Sequence, residues 1–158
     1  MSVVTEYARP REFIALAAFL MATIALAIDM MLPAMGQMAI DLELSAPARI
    51  SWVILGIFAG LIFGQLVFGP LSDAIGRRGS IQIGIAIFLI GTGVCALTDS
   101  FEVLIAGRVL QGFGGAATRI VTQAMVRDRF AGREMARVMS FVMTIFILVP
   151  IFAPMISY

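Results

Sequence analysis

Runs of about 20 apolar residues, each long enough to cross a hydrocarbon core as a helix, recur along this chain and are separated by short links rich in arginine. Four complete runs fall at about 13–33, 50–68, 81–98 and 102–126, and a fifth, about 135–158, is still apolar where the sequence stops. Strands of a β-barrel would instead alternate polar and apolar over about 10 residues. The expected fold is all-α: a polytopic transmembrane helical bundle of four complete helices plus most of a fifth, spanning 13–158 behind a tail at 1–12. Composition agrees, because 61% hydrophobic and 13% charged residues, with a mean hydropathy of +1.02, leave too few polar groups to wet a soluble domain.

The charged residues restrict the chemistry. All eleven basic side chains are arginine, and there is no Lys or His. Without His there is no Ser/His or Cys/His catalytic pair, and without Lys no Walker A phosphate loop. We therefore expect no enzyme activity and no cofactor. The single Cys95 lies in an apolar run, where packing is its expected role.

Positive residues accumulate on the cytoplasmic side of membrane helices. Arg9 and Arg11 precede the first run, Arg77 and Arg78 lie between the second and third, and Arg127, Arg129, Arg133 and Arg137 surround the fourth-to-fifth link. The other two links hold only Arg49, beside Asp41, Glu43, Asp99 and Glu102. That asymmetry predicts a cytoplasmic N-terminus, and the short "ALTDSFE" link predicts an antiparallel hairpin of helices three and four. The "ALA" at Ala25 to Ala27 imitates a signal-peptide cleavage site. Against that reading, Glu6 and Glu12 balance the tail's arginines, and the apolar run continues to Pro33. The basic run from Arg127 to Arg137 reads as a topology signal and lipid-headgroup contact, not a nucleic-acid site.

Two polar features sit inside the apolar runs. Asp29, in "TIALAIDMMLPAM", is a carboxylate that costs roughly 2.5 to 3.5 kcal/mol near the centre of an inserted helix. In the fourth run, Arg108, Gln111, Thr118, Arg119, Thr122 and Gln123 project onto one arc of about 140°. Lipid has no use for such an arc, so it is expected to face a protein interior or a water-filled cavity. Asp29 is expected about 6 Å inside its helix's outer end, at the level of Arg108, where pairing offsets part of each desolvation cost. "GFGGA" extended to Ala117 formally matches a dinucleotide fingerprint, but its mid-span position indicates helix packing, as do Gly56, Gly60 and Gly64.

The link "GPLSDAIGRRG", 69–79, resembles the signature loop of the major facilitator superfamily, here Gly69, Leu71, Asp73, Gly76, Arg77 and Arg78. "RVLQGFGGAA" is similar to that superfamily's fourth-helix motif, whose intramembrane Arg is implicated in proton transfer in drug:proton antiporters. "DMMLPAM" is similar to the aspartate-bearing first-helix segment, and "VPIFAP" to the fifth-helix antiporter motif, here Pro150, Ala153 and Pro154. Together they resemble the bicyclomycin and chloramphenicol/florfenicol resistance group; Arg119 departs from the pattern as a second intramembrane charge.

This resemblance implies the N-terminal portion of a twelve-helix, two-half fold, a bacterial inner-membrane location, and proton-coupled export of small, largely apolar drugs. The implied partners are the lipid bilayer, protons, a small-molecule substrate and the C-terminal half of the transporter. The candidate cavity residues are Asp29, Arg108, Gln111, Gly115, Thr118, Arg119 and Thr122. Met21, Met30, Met31 and Met35 are candidates for adaptable apolar contacts, although such residues are more often plain packing. The candidate cytoplasmic gate joins the signature-loop residues to Arg127 and Asp128. Two alternatives stay open: a carrier for an ordinary metabolite, and a non-transporting membrane fragment or assembly subunit.

Overall fold

The computed structural model describes residues 10–29 and 48–156, which form five helices. We label them α1 (Pro10–Asp29), α2 (Ala48–Ala74), α3 (Arg77–Leu97), α4 (Phe101–Arg129) and α5 (Gly132–Ile156). The remainder of the expected first helix, up to 33, lies outside the described residues, as do Met30, Met31 and Met35.

Local sequence explains the ends. Pro10 opens α1, where its missing N–H would have had no partner in any case, and Glu12 complements the positive end of the helix dipole. Arg127 and Arg129 lie in the last turn of α4, where cations are favoured. Between α3 and α4 the chain turns within 98–100, and the Ser100 backbone N–H donates to Thr98 Oγ1 at 3.1 Å.

The second-to-third link is shorter than the sequence suggests. α2 continues through Pro70 to Ala74, and the Ile75 N–H donates to the Leu71 carbonyl at 2.9 Å. Most of the signature "loop" is therefore helix. The reversal is left to Gly76, whose φ of 87° lies in the left-handed region that a side chain strongly disfavours.

α4 is the hub. Facing positions on α2 and α4 rise together, Gly56 against Ile105 and Gly64 against Ala116, so these helices are parallel. On α3 and α4 they run oppositely, Gly84 against Ala117 and Cys95 against Gly107, making the expected antiparallel hairpin. α1 is antiparallel to α4, since Ile24 lies over Gly115 while Phe13 stacks on Phe130 at 6.1 Å between ring centroids. The Arg129 guanidinium covers the other end of that contact, 4.7 Å from the Phe13 ring centroid.

Two close approaches depend on missing side chains. A Cβ at Gly60 would collide with the Val109 carbonyl and sit 2.7 Å from Phe113 N. On the opposite flank, a Cβ at Gly91 would lie 2.5 Å from Gln111 N. Small residues thus let α2 and α3 clasp α4 backbone to backbone, which is how helices gain attraction where lipid supplies no hydrophobic drive between them. Around this clasp, Ile24, Ile57, Leu61, Phe68, Ala116 and Ala117 form one buried cluster. A second, with Phe13, Ala17, Met21, Val126, Val138 and Val142, joins α1, α4 and α5.

Among the described residues, three helices are long and apolar enough to cross a membrane by length and composition: α1 over Glu12–Asp29, α2 over Ser51–Ala74 and α3 over Arg77–Leu97. α4, with 29 residues, is long enough but is diluted by its polar arc. Its neighbours compensate, burying Ala116, Ala117, Val121 and Val126 completely.

Candidate functional site

The polar arc of α4 faces α1. Gly115 lies near the middle of that arc, and a Cβ there would collide with Ile24 of α1. Arg108, Gln111, Thr118 and Thr122 are buried, and Arg119 and Gln123 half-buried. The arc therefore meets protein, as its composition predicted. Its members are treated differently, however. Thr118 donates to the Gly115 carbonyl of its own helix at 2.7 Å, whereas Thr122 Oγ1 is buried with no hydrogen-bond partner among the described residues.

Arg108 is 9% exposed, and its environment differs from the sequence expectation. Its NH1 donates to Gln111 Oε1 at 2.9 Å, and Gln111 Nε2 donates to Thr92 Oγ1 of α3, also at 2.9 Å. Among the described residues no ion pair joins Arg108 to half-buried Asp29. The physical reason is Gln111, which stands one turn along the same face and offers a neutral acceptor on the α3 side. From the Ile24–Gly115 contact, Asp29 lies five residues and Arg108 seven residues toward the same end, about 7.5 and about 10.5 Å along their axes. Nε of Arg108 is buried without a partner among the described residues, an arrangement that costs about 1–3 kcal/mol or more for a charged group.

Met21 takes the packing role that is commoner for such residues. At 1% exposure it is locked in the α1–α4–α5 core, packed with Val138 and Val142, and lines no cavity there. A shallow cleft of about 380 Å³ occurs at the α2 and α4 starts, lined by Trp52, Phe101, Glu102 and Ile105 and by none of the arc residues.

At the opposite end, the α2–α3 turn meets the end of α4. Arg77 NH1 lies 2.8 Å from Asp73 Oδ1, while its Nε donates to Asp128 Oδ2 at 3.0 Å. NH1 also donates to Ser72 Oγ at 2.5 Å, and that hydroxyl donates to the Gly69 carbonyl at 2.9 Å. One guanidinium thus ties α2 to α4 across the turn made by Gly76. Leu71 packs against the cluster around Phe68 and anchors the same stretch. Gly69 has open space around its Cα, and Arg78 and Arg127 are exposed and make no ion pair among the described residues. The side chains of Pro150, Ala153 and Pro154 lie outside the described residues, although the helix runs through these positions.

Sequence reasoning missed Ser72 and Thr92. Each had a faint signal: Ser72 precedes the motif Asp on a stretch that proves helical, and Thr92 is a hydroxyl in the middle of an apolar run. Neither reveals its partner on another helix, because that depends on which faces of α2, α3 and α4 meet.

Comparison with known proteins agrees with the fold. The chain is 41% identical over 128 residues to the uncharacterized MFS-type transporter YdgK of Bacillus subtilis, covering 81% of this chain and 32% of that protein. It is 34% identical over 130 residues to a bicyclomycin resistance protein homolog of Haemophilus influenzae, 82% of this chain and 32% of that one. It is 32% identical over 132 residues to the multidrug resistance protein MdtL of Escherichia coli, 83% and 33% respectively. The chain spans about a third of the length of these relatives. A family profile described as Major Facilitator Superfamily matches residues 14–158, and with the clasped helices and the Arg77 network this establishes that the chain belongs to the Major Facilitator Superfamily.

Proposed function

We propose that this chain is the N-terminal portion of a proton-coupled secondary transporter that exports small, largely apolar drugs across a bacterial inner membrane, its N-terminus cytoplasmic. The observation that carries the reading is Arg108: a guanidinium held in the interior of an apolar bundle, level with the half-buried carboxylate of Asp29 on the facing helix. Intramembrane ionisable groups are expensive and mark ion or substrate pathways. The resistance-named relatives favour a drug as cargo over a metabolite.

In this reading, Asp29 exchanges the coupling proton, and Arg108 supplies a fixed positive charge whose distance from the carboxylate decides how readily that proton leaves. Gln111, Thr118, Arg119 and Thr122 complete the polar wall, and Gly115 lets α1 approach it. Arg77, held between Asp73 and Asp128, latches the cytoplasmic ends of α2 and α4 and opens as the carrier turns. The orientation rests on the arginine-rich links, and the C-terminal half supplies the opposite wall of the cavity.

The test uses inverted membrane vesicles containing the full-length carrier. Uptake of a hydrophobic drug such as chloramphenicol is expected to need an imposed proton gradient and to collapse on addition of a protonophore. Uptake that ignores the gradient would remove the proton coupling, and uptake of polar metabolites in place of drugs would replace the cargo.

A further inference from the structure

Thr92 sits in α3, where apolar residues dominate, yet it takes part in a hydrogen-bond relay with a fixed direction. Its hydroxyl donates to the Phe88 carbonyl at 2.9 Å. With its one hydrogen committed there, Thr92 Oγ1 can only accept from Gln111. That requirement orients the Gln111 amide: the NH₂ points to Thr92, so the carbonyl oxygen must point to Arg108, whose NH1 it receives. The three side chains read Arg108 to Gln111 to Thr92 to backbone, every link running from donor to acceptor.

We propose that Thr92 is a positioning residue of this carrier: through Gln111 it holds the Arg108 guanidinium on the α3 side and away from Asp29. The role rests on the proton-coupled reading above and adds to it the element that decides where the charge sits. Two features make the held position one of two. Among the described residues Asp29 shares the depth of Arg108 without pairing to it, and buried Nε of Arg108 has no acceptor, so the arrangement of these residues leaves one donor unsatisfied. The relay offsets that loss. Valine at 92 keeps the shape but removes the acceptor, which leaves the Gln111 NH₂ unpaired and the amide held at one end only. Gln111 then fixes Arg108 less firmly, and the guanidinium is freer to move toward Asp29. Serine keeps the acceptor and the backbone bond.

The test uses the full-length carrier. Thr92→Val is expected to lower Vmax of drug efflux about fivefold, the scale of one net hydrogen bond, with KM nearly unchanged, and Thr92→Ser to restore it. Thr92→Val is also expected to lower the Tm of the purified protein, and to add no further loss in an Arg108→Gln background. Wild-type Vmax in Thr92→Val, an equal loss in Thr92→Ser, or a Tm loss that persists undiminished without Arg108 would each overturn the proposal. Should Thr92→Val fail to accumulate, Thr92→Cys keeps the bulk, weakens the acceptor and gives the same readouts. If the wild-type carrier moves no drug, the functional reading fails, while the Tm comparison with Arg108→Gln still decides the relay.

Discussion

At the scale of single residues, the charges and glycines of this chain divide by what holds them. Gly76 and Gly69 belong to the same motif but carry different constraints. At Gly76 the φ of 87° excludes a side chain on conformational grounds, so Gly76→Ala is expected to cost about 1–2 kcal/mol, read as a lowered Tm of the full-length carrier. A Cβ at Gly69 would meet nothing within 4 Å among the described residues, so any steric penalty for Gly69→Ala comes from contacts outside them. Arg77 serves two carboxylates, but both are open to water, with side chains 70% and 57% exposed. Each such ion pair contributes only about 0–1 kcal/mol, screened further by salt. Asp128→Asn should therefore leave the Tm nearly unchanged, and a large loss of efflux in that variant would report gating and not folding. A fall of many degrees in Tm would contradict this assignment.

At the scale of helices, stability concentrates where α2 and α3 clasp α4. Gly60→Leu must push α2 away from the Val109 carbonyl and the Phe113 backbone, and Gly91→Leu must do the same to α3 at Gln111. Each is expected to cost about 1–3 kcal/mol or more, visible as reduced membrane accumulation and a lower Tm. Gly93, with open space around it, is the control: Gly93→Ala should be tolerated. Much of this level was legible in sequence. The apolar runs, the glycine spacing and the polar arc all follow from periods that one helix imposes on its own residues. What the sequence did not disclose is relational. α2 continues through Pro70 because helical bonds on either side, such as Ile75 to Leu71, outweigh the one that proline removes. Arg108 turns to Gln111 and not to Asp29 because an acceptor one turn away on α4 needs no movement of α1, a choice set by three-dimensional neighbours. Met21 looked available for substrate, yet the α1–α5 contact buries it.

At the scale of the whole molecule, the described helices form a bundle with its charge at two levels. One level, at the Arg77 turn, ties helix ends together. The other, deep in the bundle, holds Arg108 beside the depth of Asp29. The chain spans about a third of the length of its relatives, and large apolar side chains such as Phe58, Ile62 and Leu66 are exposed along α2, a surface suited to lipid or to further helices. The central claim is that this deep pair couples drug movement to protons through Asp29. Its most direct test is proton movement itself, followed with a pH-sensitive dye in energised inverted vesicles holding the full-length carrier. Adding drug should release part of the stored proton gradient in the wild type, and Asp29→Asn should abolish that response while still reaching the membrane. An undiminished drug-induced proton leak in Asp29→Asn would contradict the account.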